Sequence, residues 1–219
     1  MTAGEFERRI RELAAELPPG TAAGVKREAA RLARFCLLLL SANQRMNLVS
    51  AAAAQPAELV GRHLFDAFQG LPLLPGPRPG GLSLLDIGSG GGFPAVPLLI
   101  VRGDLDGTLV ESTGKKCRFL SEALGELSLT AEVANARFPD SFPMKPPARF
   151  DLLTSRAVAE AGRLVRAARP LLRPGARALL WTTEALYPAL ARESRCGSSS
   201  FSRVPGAQSR GIALLERFT

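Results

Sequence analysis

The chain of 219 residues has little of what many enzymes use for chemistry: one histidine, three cysteines, one tryptophan and one tyrosine. Cys36, Cys117 and Cys196 lie far apart, with neither the spacing of a metal site nor that of a disulfide framework. That distribution fits a reducing cytoplasm. No metal cluster, Ser/His/Asp grouping or P-loop can be assembled, and Gly114-Lys115 lacks the preceding glycine a Walker sequence needs. The longest apolar run, Phe35-Cys36-Leu37-Leu38-Leu39-Leu40, is far too short to span a bilayer. The acidic start, Met1 to Glu7, has no signal-peptide pattern. There is no internal repeat. A metal-free, non-membrane, cytoplasmic protein is therefore expected.

Negative charge is also scarce. The net charge is +8 and the pI about 10.4. From Arg156 onward eleven arginines stand against four glutamates, so that stretch holds most of the surplus. Arginine pairs bidentately with phosphate, and neutralised phosphates release counterions, so a polyanionic partner is expected. Charge alone does not distinguish RNA, DNA and ribosome, and an arginine-rich genome with a solvated surface is the plainer reading.

Residues Phe6, Ile10, Leu13 and Leu17 recur at helical spacing, with Pro18-Pro19-Gly20 as the stop. A second helix is expected over Val25–Ala42 and a third opening at Pro56, carrying Leu59, Val60, His63, Leu64 and Phe68. The breaker-rich segment from Pro72 to Gly81 divides a helical part, 1–80, from the remainder, 81–219. Beyond it strands and helices alternate. Strands are expected at Leu82–Ile87, up to Glu111, at Ala131–Val133, Phe150–Thr154 and Ala176–Thr182. A final hairpin is expected near Phe201–Val204 and Ile212–Phe218. Helices are expected over Pro94–Val101, Lys115–Leu127 (capped by Ser112 or Thr113), Val158–Leu172 and Glu184–Arg195. Such alternation implies right-handed crossovers and a mainly parallel sheet, with ligands at the carboxyl ends of the strands.

The most informative stretch lies there: Leu85-Asp86-Ile87-Gly88-Ser89-Gly90-Gly91-Gly92-Phe93-Pro94. Glycines accept the tight turn and let a ligand lie against backbone. A dinucleotide fold wants a third glycine where Phe93 stands. Asp86 ahead of Gly88, Gly90 and Gly92 would repel a pyrophosphate, yet suits the cationic amino group of S-adenosylmethionine (SAM). The pattern thus predicts a SAM-dependent methyltransferase. Glu111, 25 residues after Asp86, is placed to accept the ribose hydroxyls. Phe93 can pack on the cofactor or on the sheet. Arg156 ends the fourth strand, beside the expected methyl acceptor. Arg62-His63 lies on the N-terminal part, with Asp66 one turn on, and a lone histidine is more often a packing residue than a catalyst.

In this order the segments Met46-Asn47-Leu48-Val49-Ser50, Arg62-His63-Leu64-Phe65-Asp66, the glycine loop, Glu111-Ser112-Thr113-Gly114-Lys115-Lys116-Cys117-Arg118-Phe119-Leu120 and Thr154-Ser155-Arg156-Ala157-Val158-Ala159 resemble the small-subunit ribosomal RNA methyltransferase G family, RsmG or GidB. The resemblance runs from about residue 45 to 180. It implies a class I methyltransferase fold: a Rossmann-like, mainly parallel seven-stranded sheet with an antiparallel last strand and an N-terminal helical extension. It also implies methylation of N7 of a guanine in the 530 loop of 16S rRNA, on naked rRNA or the 30S subunit, by a monomer that converts SAM to S-adenosylhomocysteine. Cofactor contacts would come from Asp86, Gly88, Gly90, Gly92, Phe93, Glu111, Arg137, Phe138 and Arg156. RNA contacts would come from Asn47, Arg62, His63, Lys115 and Arg118, with Arg156 and His63 at the reacting base. The sequence departs from relatives at Leu180-Trp181-Thr182-Thr183-Glu184, where a lysine-glycine is common, and matches poorly over 190–219. The alternatives are another RNA or small-molecule acceptor, or a non-catalytic ribosome-assembly factor of the same fold.

Overall fold

The computed structural model describes residues 1–52, 54–142, 150–156 and 160–218. The expected start of a helix at Val158 lies outside the described residues. Seven strands form one sheet: β1 (Leu82–Ile87), β2 (Leu105–Glu111), β3 (Ala131–Asn135), β4 (Phe150–Arg156), β5 (Leu172–Thr183), β6 (Ser198–Arg203) and β7 (Arg210–Glu216). Their order is β3-β2-β1-β4-β5-β7-β6. The first five run parallel, and β7 lies antiparallel to both neighbours, forming the expected hairpin with β6.

Strand β1 is buried at Leu82 and from Leu84 to Ile87, a near-continuous apolar run, as a strand covered on both faces requires. One face is covered by α6 (Ala95–Val101), α7 (Gly114–Glu126) and the N-terminal helices, the other by α8 (Ala161–Ala168) and α9 (Tyr187–Ser194). The stripe Cys117, Leu120, Leu124 and Leu127 turns inward as its spacing predicts. Thr113 occupies the cap position of α7 without a side-chain cap bond.

The N-terminal part holds α1 (Ala3–Leu13), α2 (Pro19–Arg27), α3 (Ala29–Met46), α4 (Pro56–Glu58) and α5 (Phe65–Phe68), with a π-helical segment, Leu59–Leu64, joining the last two. Outside this part, Leu172, expected to end a helix, opens β5 instead, the helix α8 having stopped at Ala168 ahead of Pro170; within it, two boundaries differ from expectation. Pro19 opens α2 instead of only closing the previous helix, because a proline suits the first helical turn, where its missing N–H has no partner to lose. The expected helix over Val25–Ala42 is broken at Glu28, whose φ of −96° and ψ of 11° leave the helical region. Thr2 and Glu5 form a reciprocal capping box that starts α1.

Helix α3 reaches the sheet's glycine loop through Phe35, which is fully buried and meets Phe93 edge-on at 5.3 Å between ring centres. Gly92 sits at φ +92°, and a Cβ there would come within 2.9 Å of Val96 and 3.1 Å of Phe35. This glycine therefore makes room for the helical part as well as for the turn. The connection to the sheet is pinned by Arg177 and Arg102, which donate to the carbonyls of Leu73 (2.8 Å) and Pro75 (3.0 Å). Removing the Phe35 ring would leave a cavity at this junction. Phe35→Ala is expected to lower unfolding free energy by about 3–5 kcal/mol, measured by urea denaturation.

Candidate active site

The carboxyl ends of β1, β2 and β4 bring Asp86, Glu111 and Arg156 together beside the glycine loop. Parallel pairing sets Asp86 opposite Thr154, and the Thr154 hydroxyl donates to Asp86 Oδ1 at 2.6 Å. Asp86 Oδ2 is buried with no hydrogen-bond partner among the described residues. Burial pushes this carboxyl up to about 6, against the opposing pull of Ser89, Thr154 and Arg156. A buried carboxylate with an orphaned oxygen is costly unless a donor or cation arrives.

Glu111 accepts the Gly90 N–H on Oε2 at 2.9 Å and the Thr113 N–H on Oε1 at 2.8 Å. Each oxygen keeps a lone pair for a further donor. Beside it lies a cavity of about 150 Å³ lined by Gly88, Glu111, Ser112, Ala136, Arg137 and Phe138, among others. The structure thus brings Arg137 and Phe138 to Glu111 and Gly88.

A larger cavity of about 580 Å³ has Arg156 in its wall. The π-helical segment brings Arg62 and His63 to it, and Asp66 follows from α5; β4 supplies Ser155 and Arg156, β5 Trp181, and β7 Arg210. Such helical irregularities recur at functional sites because they re-aim side chains. The Arg156 guanidinium lies over the Phe93 ring, 5.2 Å from its centre, and His63 lies 5.3 Å from the same ring. Phe93 itself is buried, so its ring is spent on protein contacts with Phe35, His63 and Arg156. Burial, reinforced by Arg156, Arg62 and Arg210, pushes the His63 imidazole down to about 4. Both its nitrogens are buried without a partner among the described residues. His63 is therefore neutral at pH 7.

Asn47, Lys115 and Arg118 line neither cavity. Asn47 is the left-handed residue that ends α3, at φ 48°, and Lys115 and Arg118 stand exposed on α7. Sequence reasoning did not place Thr154, Trp181 or Arg210 in the site, and named Asp66 only as a neighbour of His63. Asp66 carried a signal, its spacing of one turn from His63. Arg210 carried none, because its contact with Asp66 spans 144 positions. Among the described residues, no three His, Cys, Asp or Glu side chains gather as a metal site. No described helix is long and apolar enough to cross a membrane.

This sheet order and loop define a class I SAM-dependent methyltransferase. The fold matches a SAM-dependent methyltransferase from Aquifex aeolicus at TM-score 0.58 and 15% identity, covering 74% of this chain and 94% of that one. It also matches the T. thermophilus 16S rRNA N2 G1207 methyltransferase, solved with AdoMet and guanosine, at TM-score 0.56 and 22% identity, covering 77% of this chain and 43% of that one. Residues 28–202 match the family model described as rRNA small subunit methyltransferase G. Proteins named ribosomal RNA small subunit methyltransferase G are 36% identical in Acidiphilium cryptum (84% of this chain, 82% of the relative) and 36% identical in Gluconobacter oxydans (85% and 91%). The chain belongs to the rRNA small subunit methyltransferase G family and is a SAM-dependent enzyme.

Two groups of the site titrate in overlapping windows with opposite sign. Folded Asp86 keeps its proton to about pH 6, above its ordinary 3.8, so between these values the folded chain binds more protons and stability falls as pH rises. Folded His63 stays neutral down to about pH 4, below its ordinary 6.5, so there the unfolded chain binds more and stability rises with pH. Relative to wild type, Asp86→Asn should make unfolding free energy climb more steeply from pH 4 to 6, and His63→Gln less steeply. Urea midpoints across that range would show both changes.

Proposed function

We propose that this protein methylates N7 of a guanine in the 530 loop of 16S rRNA, on naked rRNA or the 30S subunit, in the cytoplasm, as a monomer and without a metal. In this reading residues 1–80 form a helical subdomain and 81–219 the methyltransferase domain. The supporting observation is the 580 Å³ cavity beside the glycine loop, which presents Arg62, Arg156 and Arg210 to an anionic acceptor and a histidine too weakly basic to take a proton. An amine or hydroxyl acceptor has to shed a proton; guanine N7 has an in-plane lone pair and none to shed. The names of the relatives, small-subunit rRNA methyltransferases, point the same way.

The residues present fit the cofactor. The orphaned Asp86 Oδ2 suits a cationic amino group, Glu111 keeps lone pairs for ribose hydroxyls, and Arg137 and Phe138 wall the adjoining cavity where an adenine would rest. Gly88, Gly90 and Gly92 supply backbone at positive φ, and Phe93 fixes the loop below Arg156. SAM, when bound, supplies an electrophilic sulfonium methyl that the N7 lone pair takes as the S–C bond breaks, leaving S-adenosylhomocysteine. Catalysis by the chain is then positioning and charge management. Arg156, held by Phe93 between Asp86 and the acceptor cavity, orients the base, and neutral His63 packs the loop without adding charge beside a cationic product. Arg62, Asn47, Lys115 and Arg118 hold phosphates and splayed nucleotides around it, since looped RNA exposes its base edges.

Incubation with methyl-labelled SAM and 30S subunits, naked 16S rRNA or 50S subunits, all lacking the modification, followed by borohydride and aniline cleavage, tests the reading. Label at one 530-loop guanine is expected. Label absent, or placed on another atom, rejects it.

A further inference from the structure

The acceptor cavity contains one carboxylate that neither cofactor binding nor phosphate binding uses. Asp66 stands in a wall otherwise rich in arginine, and repels the phosphates the arginines attract. It is only 6% exposed. Its carbonyl accepts the Trp181 indole N–H at 2.7 Å, and its Oδ2 accepts from Arg210 at 2.9 Å. Gly70 permits this clasp, since a Cβ there would lie 2.6 Å from the Trp181 ring. The backbone of Asp66 is thus held from β5 and its carboxylate from β7, yet Oδ1 is buried and has no partner among the described residues. A side chain held this firmly, with one oxygen unspent, is built to accept a hydrogen bond that the free protein does not supply.

Guanine offers the matching pattern. Its N7 and O6 are neighbouring acceptors, and next to O6 come the N1–H and N2–H donors. A guanine whose N7 faces the cofactor side therefore needs a cation at O6 and an anion immediately beyond. Arg156 and Asp66 are such neighbours, close enough that each charge bears on the other. Adenine reverses both signs, with an amino group at position 6 and an unprotonated N1, and would set donor against donor and acceptor against acceptor. We propose that Asp66 is the residue that selects guanine, accepting N1–H and N2–H of the target base while Arg156 donates to O6. This rests on the guanine-N7 reading. Arg210 and Trp181 are positioning residues, the first holding the carboxylate and the second the backbone that carries it.

The test uses 16S rRNA ligated to carry inosine, which lacks only the N2 amino group, at the methylated position. Losing one hydrogen bond to a charged acceptor should lower kcat/KM for the wild-type enzyme about tenfold or more. Asp66→Asn should start from a lower value on guanine and show no further loss on inosine. SAM binding by the variant, followed by calorimetry, separates a lost contact from a lost fold. Equal kcat/KM on guanine and inosine substrates with the wild type would overturn the assignment, whether or not the variant folds. N7-methylation of neither substrate would instead reject the guanine-N7 reading on which it stands.

Discussion

A carboxylate sealed away from water governs the carboxyl edge of the sheet. Asp86 lies near the end of a strand buried on both faces, accepts the Thr154 hydroxyl on one oxygen and leaves the other unmatched among the described residues. The parallel register of β1 and β4 fixes that partner and, two residues further along, places Arg156 at the end of β4. Arg156 then answers two buried acids, Asp86 beside the glycine loop and Asp66 in the larger cavity. The same guanidinium rests on Phe93, which Phe35 clamps from the helical part. Charge and packing therefore meet at one point, where transfer would occur.

This coupling explains why the N-terminal helices are more than a cover. They supply one wall of the acceptor cavity through Arg62, His63 and Asp66, and they seat Phe93 through Phe35. Their core is continuous with that of one sheet face, so the cavity's two walls form together. The arginines make that cavity receptive to a polyanion, and its histidine stays neutral at pH 7.

Much of this was legible in the sequence because it is local. The run Leu82–Ile87 matched its strand at both ends, and the period of Cys117, Leu120, Leu124 and Leu127 gave the buried stripe of α7. Asp86, the glycines and Glu111 were readable because strand-end chemistry follows strand order. Breaks between helices were less legible: Pro19 reads equally as a stop or a start, and Glu28 carries no breaker residue. The acceptor wall was the least legible part. Trp181 and Arg210 each meet Asp66 across more than a hundred positions. No spacing rule connects such residues; only the closed sheet does.

The most direct measurement is the dissociation constant of SAM between pH 5 and 7. If Asp86 takes the amino group of the cofactor, binding needs its ionised form, and the free protein holds the proton to about pH 6. The dissociation constant should then be level above that value and rise about tenfold for each pH unit below it. Affinity unchanged across the whole range would contradict the role given to Asp86, and with it the charge arrangement built around that residue.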